Sequence, residues 1–478
     1  MKIIFVLAVA LFMIACSTNN NQQTTNLSGT KPNIVFIFID DLGWKDVGFM
    51  GSEYYETPNI DKLARGGMIF SQAYANAANC APTRACLLSG QYSPRHGVFT
   101  VGGSDRGKSE TRRIIPVKNN ETLPLENISI AEALKPSGYV SAAIGKWHVR
   151  NTPEEQGFDF GIERHHLDYP YGHWNPDSMY LTDHLTDVAV NFIKENNPIE
   201  SGNPFFLYLS HYAVHTPIQA KNEIKAKYKT KEGMDCHNNT EYAAMIESVD
   251  ESVARVNQTL EELGLSENTI IIFFSDNGGH GTFTCQKPLR GGKGMYYEGG
   301  IREPMFAYWP GKITANSNCE EVIISTDFYT TFLDLAGAEK PENYNLDGES
   351  LVPLLEGKNE ILREAIFWHF PGYLEAYAGL KEDSRDPVFR TRPVSVIRKG
   401  DYKLLQFHEE WVLDGGFENI ETNNSVELYN IKNDISETNN LCNIEVEKRN
   451  ELLHDLLMWQ KKTNALVPSE ANPEYKKQ

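Results

Sequence analysis

Residues 31–41 read KPNIVFIFIDD. From Asn33 to Ile39 the chain carries no charge, and six of these seven residues are β-branched or aromatic. A short apolar run without polar alternation is the pattern of a strand covered on both faces, as in a parallel sheet. Parallel neighbours need long crossovers, usually helices, so the run predicts an α/β architecture. It stops abruptly at Asp40 and Asp41. Open parallel sheets bind ligands outside the carboxyl ends of their strands, so this acidic pair marks where the chemistry is sought.

Three further runs share these features. Gly138–Gly145 (GYVSAAIG) follows a helical stretch at Ile128–Leu134 and ends in Lys146-Trp147-His148. Pro204–Ser210 (PFFLYLS) follows an amphipathic helix near Leu181–Lys194 and leads to His211 and His215. Asn268–Ser275 (NTIIIFFS) follows a long helix marked by Met245, Val249, Val253, Val256 and Leu260, and ends in Asp276-Asn277. A polar strand end is commonly a solvated loop. Four such endings, with Asp-Asp, Lys-x-His, His and Asp-Asn, point to one shared site.

After Gly357 the pattern changes to short strand-like runs at Ala365–Trp368, Val394–Ile397, Tyr402–Phe407 and Glu427–Tyr429, with a closing helix at Glu445–Thr463. We therefore divide the chain into a large α/β domain over 31–360 and a smaller α+β subdomain with an antiparallel sheet over 361–478. No internal repeat is visible.

The first sixteen residues, MKIIFVLAVALFMIAC, have the pattern of a signal peptide over 1–15. The ending Met13-Ile14-Ala15-Cys16 resembles a bacterial lipobox, which implies cleavage before Cys16 and lipid attachment to its sulfur. Polar residues 16–30 read as a tether. Ser17 is not an acidic retention signal, so the expected location is the outer membrane, on its periplasmic or surface face. No later apolar run is long enough to span a bilayer. The net charge of −19 argues against a nucleic-acid partner, so an anion substrate would need locally concentrated positive charge. Of seven cysteines, five remain besides Cys16 and Cys80, without metal-type spacing, and their pairing is unreadable.

Asp40, Asp41, Asp276 and Asn277 offer hard oxygen ligands from two strand ends, a set that suits Ca2+ or Mg2+ and not a thiol- or imidazole-loving metal. Lys146, His148, His215 and Lys293 supply cations and proton carriers around them. Cys80 opens CAPTR, with Pro82 in the first turn of an apolar helix over 82–88 and Arg84 four residues on. A thiolate is a possible nucleophile, but it is a poor partner for a hard cation, and an oxygen-bearing residue at position 80 fits better.

Cys80-Ala81-Pro82-Thr83-Arg84 resembles the sulfatase signature Cys-x-Pro-Ser-Arg, with Thr83 where serine is commoner. Asp40-Asp41, Gly145-Lys146-Trp147-His148, His215-Thr216-Pro217, Ser275-Asp276-Asn277-Gly278 and Gly292-Lys293 match the family's other motifs in order. The match is clear over residues 31–310 and weaker through SVIRKGDYKLL and ELYNIKND. The resemblance implies an alkaline-phosphatase-like fold, with a large, mixed, mainly parallel sheet between helices. It also implies that a maturation enzyme oxidises Cys80 to formylglycine. One hydroxyl of the hydrated aldehyde would attack sulfur and the other would expel sulfate. In family terms Asp40, Asp41, Asp276, Asn277 and modified residue 80 bind Ca2+. Arg84 and Lys146 steady residue 80, and His148 assists proton removal. His215 and Lys293 contact the sulfate and leaving oxygen, with His215 the general acid.

The substrate implied is a sulfated polysaccharide or oligosaccharide, with His165, His166, His173, His280 and His369 as candidate leaving-group contacts. Two other readings are a phosphomonoester or phosphodiester hydrolase of the same superfamily, and a non-catalytic glycan-binding lipoprotein. The anchor is directly testable. The intact gene should give membrane-associated protein that takes up a lipid label, and Cys16→Ala should lose it; equal labelling of both would exclude the anchor.

Overall fold

The computed structural model describes residues 26–169, 171–175, 179–358, 361–377 and 383–477. The leader over 1–15, Cys16 and most of the tether lie outside the described residues. Among the described residues, no helix is long and apolar enough to cross a membrane.

The large sheet has nine strands: β1 (Asn33–Ile39), β2 (Met68–Tyr74), β3 (Val140–Gly145), β4 (Phe160–Ile162), β5 (Phe205–Ser210), β6 (Thr269–Ser275), β7 (Arg302–Tyr308), β8 (Ser317–Cys319) and β9 (Ile323–Ile324). Their order is β4-β3-β5-β1-β6-β7-β2-β8, with β9 also paired to β2. The four runs picked out in the sequence form the contiguous core β3-β5-β1-β6, parallel throughout. β7 runs antiparallel to both β6 and β2, so the sheet is mixed but mainly parallel.

Alternation along β1 explains why an unbroken apolar run is needed. Ile34, Phe36 and Phe38 enter one core with Phe206, Tyr208, Ile272, Phe274, Phe328 and Phe332. Val35, Ile37 and Ile39 enter the opposite core with Leu207, Leu209, Phe273, Tyr242 and Val249. Each fully buried side chain of this size contributes about 1.5–3 kcal/mol of transfer free energy. The second core lies under the helices Leu181–Glu195 and Thr240–Glu262, the latter capped by the Asn239 side chain. The first lies under Cys80–Ser89, Ile130–Leu134 and Asp327–Ala336.

The second sheet comprises β10 (Ala365–Phe370), β13 (Val394–Lys399), β14 (Tyr402–Phe407) and β15 (Val426–Asn430), antiparallel in that order; β11 (Leu374–Glu375) and β12 (Phe389–Thr391) pair separately. The closing helix Val446–Thr463 packs Leu452, Leu453, Leu456 and Trp459 into the same core. That core also takes Tyr74, Tyr296 and Ile301 from the large sheet's side. A buried ionic cluster reinforces the junction: Lys403 Nζ lies 3.0 Å from Glu298 and 2.9 Å from Glu437, and the Tyr74 hydroxyl donates to Glu298 at 2.6 Å. The cysteine pairing is Cys236–Cys285. Cys80, Cys86, Cys319 and Cys442 are free and buried.

Candidate active site

Strand register builds the acidic side of the site. Ile39 of β1 pairs with Ser275 of β6, so Asp40-Asp41 and Asp276-Asn277 leave the sheet side by side. The Asp276 N–H donates to Ile39 O at 3.1 Å, and the Asp41 N–H donates to Asp276 Oδ1 at 3.1 Å. Asp41 has φ +62°, a left-handed conformation that aspartate tolerates better than most residues. All four side chains are buried.

Three cations answer three carboxylates. Arg84 Nη2 lies 2.7 Å from Asp276, and its Nη1 donates to the Lys146 carbonyl at 2.9 Å, the Tyr208 hydroxyl at 3.3 Å and Ser210 Oγ. Lys146 pairs with Asp40. It is placed by an N–H donated to Ser210 O at 2.7 Å, just after Gly145. Gly145 has φ +106°, and a Cβ there would stand 1.9 Å from Ser210 O, so this close approach requires glycine. Lys293 Nζ lies 2.6 Å from Asp41 Oδ1 and 2.7 Å from Oδ2.

These neighbours move the carboxyls in opposite directions. Burial raises the Asp41 pKa, but Lys293, His215 and Lys146 outweigh it and hold the group well below the usual carboxylate range. Burial and the Asp40 carboxylate push Asp276 up to about 6, against Arg84 and Lys146.

The residues fit a hard divalent cation. One oxygen from each of Asp40, Asp41 and Asp276, and the sulfur of Cys80, all lie within 4.8 Å of one another. Asp40 Oδ1 and Asn277 Oδ1 are buried without a hydrogen-bond partner. Unpaired buried oxygens are costly, and a cation would satisfy them.

Cys80 is the first residue of the helix Cys80–Ser89, two residues earlier than the sequence suggested. The Asn79 side chain caps it, accepting the Cys80 N–H at 3.2 Å. Cys80 Sγ lies 3.9 Å from Asp41 Oδ1. Burial raises the thiol pKa despite Lys146 and Lys293, which disfavours a thiolate. The Thr83 hydroxyl donates to Ala77 O at 2.9 Å and accepts the Ala77 N–H at 3.2 Å, bracing the loop before the helix. Its methyl group is accommodated in a fully buried position.

His148, also left-handed at φ +64°, has a buried Nδ1 without a partner. Burial and Lys146 depress its pKa well below the ordinary value, giving a neutral imidazole. His215 Nδ1–H donates to Thr216 O at 2.7 Å, and Nε2 lies 3.8 Å from Asp41 Oδ2. Burial and Lys146 lower its pKa to about 4 against Asp41.

The structure sorts the other histidines. His369 is buried, bridging Ser395 and Leu466 O in the second sheet's core, so its place is structural. His173 Nε2–H donates to His215 O at 3.0 Å and braces that loop. His165 and His166 lie against each other with their rings tilted at 40° in a short 3-10 turn, and His166 Nδ1 accepts the Glu163 N–H at 3.0 Å. His280 follows Gly279, whose carbonyl accepts the Lys293 N–H at 3.0 Å. Sequence reasoning missed Tyr208 and Ser210 as partners of Arg84. It also missed Arg390, whose Nη1 donates to Lys293 O at 3.2 Å. The first two sit in an apolar run, and Arg390 comes from a distant segment without a local signal.

The chain matches the family model described as Sulfatase over residues 32–338 and that of the N-sulphoglucosamine sulphohydrolase C-terminal region over 291–463. A curated sulfatase of Formosa agariphila is 34% identical over 88% of this chain and 86% of that relative. The human N-acetylgalactosamine-6-sulfatase is 31% identical over 71% of this chain and 68% of its own length. The crystal structure of Ps i-CgsB in complex with k-i-k-neocarrahexaose is 29% identical, covers 93% of this chain and 94% of its own, and has a TM-score of 0.71.

The buried Arg84–Asp276 pair gives a stability test. Arg84→Ala leaves Asp276 beside Asp40 without its closest cation, and should lower the unfolding free energy by about 3–5 kcal/mol, read from denaturant melts. An unchanged midpoint would show that the pair is not needed.

Proposed function

The chain belongs to the sulfatase family of the alkaline phosphatase superfamily and is a sulfuric ester hydrolase, and from that premise we propose that it removes sulfate from a sulfated glycan with Cys80 matured to formylglycine and Ca2+ bound at the strand ends. The observation that carries this reading is the buried set of Asp40, Asp41 and Asp276 around Cys80, with unpartnered oxygens on Asp40 and Asn277. A binder without turnover would have no use for the neutral histidines beside it.

Asp40, Asp41, Asp276, Asn277 and residue 80 would hold the cation, which supplies charge neutralisation for the sulfate. Hydrated formylglycine would supply two hydroxyls on one carbon, one to attack sulfur and one to expel sulfate, a release that serine cannot perform. Arg84 and Lys146 fix the carboxylates and keep positive potential beneath residue 80. His148, held neutral, accepts a proton at its free nitrogen during sulfate release. Lys293 and His215 face the ester from the Asp41 side. Burial resists protonation of His215, and an anionic ester beside it opposes that resistance, so the substrate itself favours the acid that protonates the leaving oxygen.

For substrate class, support comes from the relatives: one named for N-acetylgalactosamine 6-sulfate and one solved with a neocarrahexaose. Outer-membrane anchoring through Cys16 would place such an enzyme where imported or external glycans are met.

A four-substrate panel tests the reading: 4-nitrophenyl sulfate, 4-nitrophenyl phosphate, N-acetylgalactosamine 6-sulfate and k-i-k-neocarrahexaose. Sulfate release should dominate, and preferred phosphate release would favour the phosphoester alternative. Asp40→Ala should lose Ca2+ binding in calorimetric titration and lower turnover by roughly a hundredfold or more; normal Ca2+ binding by that protein would remove Asp40 from the ligand set. Peptide mass spectrometry across residues 75–95 should find an aldehyde at position 80. Cys80→Ser should stop after at most one transfer; multiple turnovers by that variant, or full activity from a wholly thiol Cys80, would defeat the mechanism.

A further inference from the structure

The separate β11–β12 pair and the residues beside it reach the Lys293 loop through a stack of three planar groups. The His280 ring lies 3.9 Å from the Tyr377 ring at 22°, and the Arg390 guanidinium lies 3.8 Å from the same ring's centre. Two flat groups that close cannot share one face, so they sandwich Tyr377. Arg390 is itself fixed by bonds to Glu375 O at 2.9 Å, Lys293 O at 3.2 Å and the Tyr377 hydroxyl. Phe283 packs against His280 at 5.0 Å between ring centres.

The same geometry fixes the tautomer. His280 Nδ1 accepts the Thr282 N–H at 3.3 Å, so in the neutral ring the proton sits on Nε2. Burial, with Lys293 and Arg390, holds its pKa down to about 4 against the pull of Asp41, so the ring is neutral. No hydrogen bond to Nε2 is formed among the described residues, and His280 is only partly buried. The ring is therefore a held N–H donor whose electrostatic neighbours include Asp41, Lys293 and His215. The backbone bond from Lys293 to Gly279 ties the segment that carries His280 to the Lys293 loop.

We propose that His280 is a specificity-determining contact to the sugar, its Nε2–H donating to an oxygen acceptor on the residue that carries the scissile sulfate. This inference rests on the sulfatase reading above. A neutral N–H donor can be received by a hydroxyl, ring or amide oxygen of that sugar. A pre-set donor loses little conformational freedom on binding, which is what the Tyr377 sandwich supplies. Arg390 is a positioning residue, acting through Tyr377 and through Lys293 O. A small aryl sulfate carries no sugar oxygen to receive the hydrogen bond.

The test compares wild type, His280→Ala and His280→Gln on 4-nitrophenyl sulfate and on whichever of N-acetylgalactosamine 6-sulfate and k-i-k-neocarrahexaose has the higher wild-type kcat/KM. His280→Ala should lower kcat/KM for the saccharide on the order of tenfold more than for the aryl ester. His280→Gln, which keeps an N–H donor, should recover much of that difference. Aryl sulfate turnover in the same preparation reports that each variant is folded and matured. Equal losses on both esters, or no loss on the saccharide, would overturn the assignment. A wild-type protein that releases sulfate from neither ester would overturn the reaction itself, and this inference with it.

Discussion

Three carboxylates buried at the ends of two adjacent parallel strands cannot stand alone. Bare charge in such surroundings is costly enough that the fold must either neutralise it or bring counter-charges to it. Here the counter-charges come from three distant segments: Arg84 from a helix, Lys146 from the end of β3 and Lys293 from the loop before β7. Each pairing ties its segment to the end of β1 or β6. The three cations balance the three acids, so an added divalent ion makes the centre locally positive. Such a local excess would reconcile an anion-processing site with a chain whose net charge is −19.

What was legible in the sequence follows from the length scale of each signal. β1, β3, β5 and β6 declare themselves because strands buried on both faces need unbroken apolar runs. β2 and β7 do not: β2 has a part-buried middle, and β7 opens with Arg302 and Glu303 before its apolar part. Motif positions were legible because strand ends bring their next residues together without further information. The second sheet's strands were located to within two residues at either end, since turns bound them closely. Contacts among remote side chains left no local trace. The Arg84–Tyr208–Ser210 bonds, the Cys236–Cys285 pairing and the Arg390–Tyr377–His280 stack all need the three-dimensional path of the chain. The histidines show the same limit. His369 and His280 look alike in sequence, yet one bridges two groups in a closed core and the other edges the site.

The smaller sheet is more than an appendage. Lys403 and Glu437 meet Glu298, which begins the short helix leading into β7, five residues after Lys293. Arg390 then reaches back to the carbonyl of Lys293 itself. The Cys236–Cys285 bond holds the other limb of the same loop, where His237 Nε2 lies 3.0 Å from Cys285 O. The loop that carries Lys293 is thus gripped at both ends, from two different parts of the chain. A displacement of the smaller sheet would be transmitted to the cation beside Asp41.

Cys80 is 1% exposed, and every residue of the helix it opens is buried. That sulfur presents almost no surface to a second protein once β1, β6 and the helix have closed around it. Any enzyme that alters the thiol must win a race against folding, acting on an extended segment while the apolar runs on either side are still apart. The closed core would then preserve whichever side chain it received, thiol or aldehyde, with no later opportunity for correction. Where turnover depends on that modification, the fraction of active molecules in a preparation would record the relative speeds of modification and collapse during synthesis, and two batches with identical melting behaviour could differ widely in turnover.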